Sequence, residues 1–155
     1  MSQLITKKGF QKLQNEILQL KSVERPKVIK SIAEARDLGD LKENSEYHSA
    51  KDHQGMIEAK ISNLEISSSN FIVFDSANIN ENIVHFSATV TIENADNKKI
   101  TSYKIVSEYE ADLENGLISI QSPVAKSLLN KHIGEEVEIK TPRKDIQYKI
   151  LNIKY

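Results

Sequence analysis

Apolar residues in the first half of the chain recur with the spacing of an α-helix. One series begins at Phe10 and a second begins at Tyr47, and both advance by steps of three and four residues. Such steps place the residues along one face of a helix, as in a heptad repeat. The pattern predicts two helices that pack through these faces, formed by Phe10, Leu13, Ile17 and Leu20 in the first and by Tyr47, Ala50, Gln54, Ile57, Ile61, Leu64 and Ser68 in the second.

The first helix has a clear start and one interruption. Thr6 is suited to cap its N-terminus, because a threonine hydroxyl accepts a hydrogen bond from the first helical turn. Pro26 interrupts the apolar series. The series resumes at Val28, Ile32 and Ala35, so we expect Pro26 to kink the helix and not to end it.

A short polar link joins the two helices. Gly39 is a natural stop for the first helix. Asp40 is suited to start the turn, and Asn44 or Ser45 to cap the second helix, which should end within residues 67–70. Because the link is so short, the helices must fold back antiparallel.

The second half of the chain has the composition of a β-sheet. Residues 123–129 predict one short helix, with Ser122 as N-cap and Pro123 in its first position. Strands are predicted at residues 83–92, 100–106, 117–121, 136–140 and 146–154. The fold class is therefore α+β, with an antiparallel coiled-coil hairpin over residues 1–75, its acidic turn at 37–46, a linker at 76–82, and a small β-rich domain with one short helix over 83–155.

Composition excludes several classes of protein. The chain of 155 residues is 28% charged and contains no cysteine, which excludes disulfides, thiolate nucleophiles and cysteine-bound metals. Its net charge of −1 does not suit a protein that binds nucleic acid mainly through phosphates. No secretory signal and no apolar run of the ~20 residues needed to span a bilayer is found. We expect a cytoplasmic protein without a membrane segment.

Four carboxylates crowd the predicted turn. Asp37, Asp40, Glu43 and Glu46 fall within residues 37–46, and hydrated carboxylates are ionised at neutral pH. Asp40 and Glu43 can point the same way across a turn. Two hard oxygen donors can complete a Mg²⁺ site elsewhere but make no full site alone, so we expect no stably bound metal in the free protein. Spacing alone leaves open that the turn is merely hydrated.

Histidines supply little other chemistry. His48 and Asp52 share a helix face and His53 is nearby. A catalytic zinc site needs three protein ligands, and no third helix offers a partner. We therefore disfavour a zinc enzyme.

Two segments carry a resemblance to a known family. Residues 33–47 (AEARDLGDLKENSEY) resemble the tip signature of the Gre family of bacterial transcript-cleavage factors. Residues 116–126 (GLISIQSPVAK) resemble the C-terminal signature of the same family. Leu41 and Glu46 are similar to the GreA branch and not to the GreB branch. The resemblance covers essentially the whole chain.

The resemblance implies a function and its partners. In this family an FKBP-like C-terminal domain docks at the rim of the secondary channel of bacterial RNA polymerase, and the coiled coil enters the channel. Asp40 and Glu43 would then assist the polymerase's Mg²⁺ while the polymerase cleaves the nascent RNA 3′ end of a backtracked complex. The factor itself would be a monomer, not an enzyme, with no cofactor of its own.

Further residues follow from the resemblance. It implies tip support by Asn44, Glu46 and Tyr47, polymerase docking by Ile120, Ser122 and Pro123, and RNA contact by Arg36, Lys42 and Lys51, although a solvated helix face also explains each of these last three. Departures from the family pattern are Ser107, where many members have glycine, and Arg143–Lys144, which replaces a glycine-containing turn.

Two alternatives remain open. FKBP-like folds often catalyse peptidyl-prolyl isomerisation, but such a site needs an aromatic-lined apolar pocket and the chain has no tryptophan. The second alternative is a non-cleaving homologue that enters the channel only to inhibit. The presence of Asp40 and Glu43 argues against it.

Overall fold

A computed structural model describes residues 2–40 and 42–155. Leu41, one of the two residues that indicated the GreA branch, lies outside them. The chain forms two compact units, of which the first contains residues 10–71 and the second contains residues 2–9 and 72–155. Residues 2–9 and 72–75 thus group with the second unit, although the sequence placed them in the hairpin. No helix in the described ranges is long and apolar enough to cross a membrane.

Helices build the first unit. Helix α1 (Lys7–Gln19) continues directly into a π-helical turn (Leu20–Glu24) and then into α2 (Arg25–Arg36). Helix α3 (Ser45–Asn70) returns along them. Three hydrogen bonds join the two arms: Gln14–Ser68 (2.8 Å), Arg25–Glu58 (2.7 Å) and Ala35–Asn44 (2.6 Å). Along them the residue numbers increase in the first arm and decrease in the second. These pairs confirm the antiparallel hairpin.

The predicted apolar faces are the buried faces of the helices. At the centre of the unit, Leu20 and Val28 pack with Ile57 and Ile61, and Leu64 lies against them. The buried positions predicted from the two series are Leu13, Ile17, Leu20, Val28, Ile32, Ala35, Ile57 and Ile61. The heptad pattern therefore identified the packing face of both helices correctly.

The π-helical turn explains how the first helix passes Pro26. The Arg25 N–H donates to the Leu20 carbonyl, five residues back, instead of four as in an α-helix. Leu20 and Val28 are one residue further apart than a heptad allows, and the wider turn takes up that extra residue. Both side chains consequently stay in the same buried cluster. The helix continues beyond Pro26 as predicted, whereas the π-helical turn was not predicted.

A five-stranded sheet organises the second unit. Its order is β5-β4-β3-β7-β6, and all neighbours are antiparallel except β4 and β5. The strands are β3 (Thr89–Asn94), β4 (Ile100–Val106), β5 (Leu117–Ser119), β6 (Glu136–Lys140) and β7 (Asp145–Lys154). Strands β1 (Gln3–Ile5) and β2 (Phe71–Val73) form a separate pair that the sequence did not predict.

Helix α4 (Pro123–Leu128) covers the sheet with its buried Ala125 and Leu128. Ser122 caps it by accepting a hydrogen bond from the Ala125 N–H at 3.2 Å. The predicted helix and its cap are confirmed, and with them the α+β fold class of a helical hairpin followed by a sheet domain.

Two predicted strands were too long. In residues 83–92 the side chains of Val84, Phe86 and Ala88 are buried in alternation, but Ser87 has a positive φ of 72°. That conformation breaks the strand, so β3 begins only at Thr89. The predicted strand 117–121 ends at Ser119, where the chain turns into α4. Alternation correctly indicated burial but not strand pairing.

Glu110 joins the start of α1 to the loop after β4, all within the second unit. Its carboxylate accepts hydrogen bonds from the Thr6 N–H (3.2 Å) and the Thr6 hydroxyl. It also accepts from the Ser107 N–H (3.2 Å) and hydroxyl (2.8 Å). Thr6 in turn caps α1 by accepting from the Gly9 N–H at 3.0 Å, as predicted. The departure from glycine at position 107 thus supplies a buried hydroxyl that Glu110 uses.

The last residue of the chain closes the same unit. The Tyr155 hydroxyl donates to the Ile83 carbonyl at 2.6 Å and accepts from the His85 N–H at 2.8 Å. Burial raises the pKa of the Tyr155 hydroxyl, against a smaller opposing effect of the His85 hydrogen bond. At the other departure, Arg143 and Lys144 have no positive φ, so this turn needs no glycine.

Candidate functional site

The tip loop, residues 37–44, connects α2 to α3. Helix α2 ends as the Leu38 and Gly39 N–H groups donate to the carbonyls of Ala35 (3.2 Å) and Arg36 (3.3 Å). Gly39 has a φ of 118°, which only glycine adopts without strain. The predicted helix stop at Gly39 is therefore confirmed.

Asn44 fastens both helix ends to the tip loop. Its Oδ1 accepts from the Tyr47 N–H at 3.1 Å, which makes it the N-cap of α3. Its Nδ2 donates to the Ala35 carbonyl of α2 at 2.6 Å. One side chain thus satisfies an orphan N–H donor at the start of α3. The same side chain gives the Ala35 carbonyl at the end of α2 a further hydrogen bond, beside the one from the Leu38 N–H. This geometry suits the support role that the sequence suggested for Asn44.

The two singled-out acids lie in this loop. Asp40 and Glu43 are exposed, and the Asp40 Oδ1 accepts from the Lys42 N–H at 2.9 Å. Both line one shallow cleft of about 310 Å³, together with Glu46 in the first turn of α3. The structure therefore brings three of the four predicted acids to one surface. Asp37, the fourth, is the C-cap of α2.

The carboxylates of Asp40 and Glu43 are suited to be two ligands of a metal ion whose other ligands come from outside this chain. Among residues 2–40 and 42–155, no three His, Asp or Glu side chains form a group that could hold a metal. Mg²⁺ prefers carboxylate oxygens and commonly takes only one or two of them while it keeps several waters. Two exposed carboxylates on a hydrogen-bonded loop can supply that number of ligands.

Cationic side chains flank the acids in different ways. The Arg36 guanidinium lies 5.8 Å from the centre of the Tyr47 ring, a cation–π distance that links the end of α2 to the start of α3. Lys51 donates from Nζ to the Gln54 Oε1 at 3.2 Å, and Lys42 is exposed in the loop. Arg36 and Tyr47 thus hold the two helix ends together beside the tip loop.

His48 is a tip residue whose position the sequence did not reveal. Its Nε2 lies 3.1 Å from the Lys42 carbonyl oxygen. Its ring meets Tyr47 edge to face, with centroids 5.5 Å apart. The sequence suggested only a weak zinc interpretation with Asp52 and His53, and no spacing in it points to the Lys42 carbonyl.

The predicted docking residues lie in the second unit, between β5 and α4. Ile120 packs against the core of that unit, Ser122 is the N-cap described above, and Pro123 is exposed in the first turn of α4. Each has a local structural role, and Pro123 also offers an open surface.

Comparison with known proteins addresses both units. The family model described as "Transcription elongation factor, N-terminal" matches residues 3–73, and the one described as "Transcription elongation factor, GreA/GreB, C-term" matches residues 79–155. The chain belongs to the GreA/GreB family. The GreA/GreB assignment confirms the resemblance found in the two sequence signatures.

Individual relatives agree with that family. Transcription elongation factor GreA of Francisella tularensis subsp. novicida (strain U112) is 47% identical over 97% of this chain and 95% of its own, and GreA of F. tularensis subsp. tularensis (strain WY96-3418) matches equally. Among solved structures, GreA factor homolog 1 of Thermus thermophilus aligns over 100% of both chains with 22% identity and a TM-score of 0.45. GreA/GreB from Nitrosomonas europaea aligns over 68% of this chain and 93% of its own, with 21% identity and a TM-score of 0.46.

Proposed function

We propose that this GreA/GreB family member rescues arrested transcription by stimulating transcript cleavage. It enters the secondary channel of bacterial RNA polymerase and promotes the polymerase's own endonucleolytic cleavage of backtracked nascent RNA. The observation that carries the proposal is the pair of exposed carboxylates, Asp40 and Glu43, in one cleft on a hydrogen-bonded loop at the end of an antiparallel hairpin. The factor works in the cytoplasm as a monomer.

The hairpin offers both reach and a stable tip. Helix α3 has 26 residues, which corresponds to about 39 Å at ~1.5 Å per residue. The Asn44 bridge between α2 and α3 holds the turn at its end. A long, narrow element with a fixed tip is suited to place two side chains inside a channel of another protein.

The chemistry requires donors and not a complete active site. In two-metal hydrolysis, Mg²⁺ ions of the polymerase activate the attacking water and stabilise the leaving oxygen. Asp40 uses Oδ1 for the Lys42 N–H, which leaves Oδ2 for a ligand outside the loop, and Glu43 extends into the same cleft. The factor thus supplies carboxylates in trans, needs no cofactor of its own and is not itself an enzyme.

The remaining predicted residues serve attachment. The second unit docks at the channel rim through Ile120, Ser122 and Pro123, of which Pro123 is exposed on the unit's surface. Lys42 and Lys51 are exposed near the tip and are suited to contact phosphates of the extruded RNA.

A cleavage assay on a stalled complex tests the proposal. Purified polymerase is backtracked on labelled RNA, and release of short 3′ fragments is followed with and without the factor. Asp40→Asn and Glu43→Gln remove one charge each at nearly constant shape. Each should lower the stimulated rate by about a hundredfold, the scale on which loss of one charge-stabilising group acts in active sites.

Asp52→Asn is the matched control, because Asp52 is an exposed acid on α3 outside the tip loop. This variant should stimulate cleavage like the wild type, and all variants should compete equally for polymerase. If Asp40→Asn and Glu43→Gln cleave at normal rates, the tip carboxylates have no part in the reaction. A wild-type factor that binds and only inhibits would instead identify a non-cleaving homologue.

A further inference from the structure

His48 makes a contact that involves the backbone between the two acids. Its Nε2 lies 3.1 Å from the Lys42 carbonyl oxygen. A carbonyl oxygen can only accept a hydrogen bond, so the Nε2 of His48 must carry the hydrogen. Although His48 is exposed, its side chain is therefore directed back to the tip loop.

Lys42 is consequently held on both sides of its own backbone. Its N–H donates to the Asp40 Oδ1 at 2.9 Å, and its carbonyl accepts from His48. We call this pair of hydrogen bonds the Lys42 clasp. The Lys42 carbonyl belongs to the peptide plane that leads into Glu43, so His48 fixes the orientation of the backbone from which the Glu43 side chain departs. The other bond restrains the Asp40 side chain itself.

The imidazole is itself braced by α2. The His48 ring meets Tyr47 edge to face at 5.5 Å, with the ring planes 66° apart. Above Tyr47 lies the guanidinium of Arg36, the last residue of α2, at 5.8 Å from the ring centre. These contacts connect the end of α2 with the clasp through a continuous set of side chains, and each is of a geometry that contributes stabilisation.

We propose that His48 is a positioning residue for stimulated transcript cleavage, which acts by donating its Nε2–H to the Lys42 carbonyl and so fixing the geometry of Asp40 and Glu43. The inference rests on the cleavage function proposed above and adds a residue that touches neither metal nor RNA. Catalytic geometry tolerates little displacement, so a loosened loop should slow the reaction without weakening docking.

Two amide substitutions isolate the donor. In His48→Gln the side-chain amide nitrogen reaches about as far as Nε2 does, whereas in His48→Asn it falls at the nearer Nδ1 position. Gln can therefore restore the bond to Lys42 and Asn cannot, although both are neutral and polar. Asn matches His in helix propensity, and Gln ranks slightly above both. His53→Asn is the matched control, since His53 lies on the same helix further from the loop.

The first measurement is the stimulated cleavage rate against factor and Mg²⁺ concentration. His48→Asn should lower the maximal rate by about tenfold and raise the Mg²⁺ concentration for half-maximal cleavage, within the range that ångström-scale misplacement costs. The factor concentration for half-maximal effect should not change. His48→Gln and His53→Asn should behave like the wild type. Full activity of His48→Asn, or equal loss in His48→Gln and His48→Asn, would overturn the inference.

The second measurement uses the free factor and needs no cleavage. Backbone amides of residues 42–44 should exchange hydrogen about fivefold faster in His48→Asn than in His48→Gln, the factor that corresponds to one ordinary hydrogen bond. Equal exchange in these two variants would show that the clasp does not restrain the loop, and the inference would fail. If the wild type itself does not stimulate cleavage, the proposed function fails, and the exchange result still decides whether the clasp exists.

Discussion

Replacement of Gly9 by alanine tests the packing of the second unit, because helix propensity and packing predict opposite changes in its stability. Gly9 is in the first turn of α1 and has no positive φ, so its backbone accepts any residue. In an ordinary helix the change from glycine to alanine stabilises by ~1 kcal/mol. Sequence considerations alone therefore predict a more stable protein.

The structure predicts the opposite sign. A Cβ on Gly9 would lie 2.5 Å from the Glu110 Cγ and closer still to its carboxylate. Glu110 would have to move away from the N–H and hydroxyl donors of Thr6 and Ser107, both of which are buried. Loss of these charge-assisted bonds, with donors left unsatisfied, costs about 3 kcal/mol. After the propensity gain, Gly9→Ala should destabilise the second unit by about 2 kcal/mol.

Denaturant unfolding followed by tyrosine fluorescence measures this effect. The chain has 5 tyrosines and no tryptophan, and all of them except Tyr47 lie in the second unit. Gly55→Ala is the matched control, because a Cβ on Gly55 in α3 meets nothing within 4 Å. That control should stabilise the hairpin by ~1 kcal/mol, measured by far-UV circular dichroism.

A double-mutant cycle identifies the cause. In a Glu110→Ala background the clash and the bonds are both gone, so Gly9→Ala should become neutral or stabilising. If Gly9→Ala stabilises the unmodified chain as much as Gly55→Ala does, Glu110 is not held against α1 and the reasoning is refuted.

Three further predictions concern single contacts. Tyr155→Phe should destabilise the second unit by about 1–2 kcal/mol in urea, because two backbone groups lose their partner. Since burial raises the pKa of Tyr155, its ionisation contribution is complete below pH ~10 and is lost as pH rises through the folded pKa, so the stability difference from Tyr155→Phe should shrink only at alkaline pH. Asn44→Ala should lower the melting stability of the hairpin by about 1 kcal/mol, whereas Asn44→Ser should retain most of the capping. The Arg25 hydrogen bond lowers the pKa of Glu58, so the effect of Glu58→Gln on hairpin stability should be complete at neutral pH. It should decline below the pKa of a free glutamate and vanish as the pH falls through the lowered pKa of Glu58, and an effect that grows in acid would contradict the pairing.

The sequence sufficed where one physical pattern decides the outcome. Heptad spacing identified the buried face, because helix geometry leaves little choice about which residues face a partner. Ser122 was predicted as a cap, and Asn44 was one of two candidates beside Ser45, since short polar side chains at helix starts have one dominant use. The eight-residue step from Leu20 to Val28 is one residue longer than a heptad and so indicated the π-helical turn. Only a kink at Pro26 was predicted there.

Other features depend on contacts distant in sequence. Strands β1 and β2 have three residues each, too short for any alternation to show. Glu110 bonds to Thr6 across 104 positions of the chain, a pairing that no local pattern contains. At the tip, spacing showed only that carboxylates crowd the turn, and the resemblance to the Gre family singled out Asp40 and Glu43. The contact of His48 with the Lys42 carbonyl could be found only from the structure.

The second unit is built from two separate segments of the chain, and this determines which segments can be exchanged between relatives. Because residues 2–9 fold with residues 72–155, a hybrid that joins the front half of one relative to the back half of another separates Thr6 from the Glu110 to which it donates hydrogen bonds. Successful grafts should instead transplant the hairpin alone, as an insert between two stretches from a single parent. Natural recombination within such genes would face the same requirement, with crossovers tolerated in pairs that flank the hairpin.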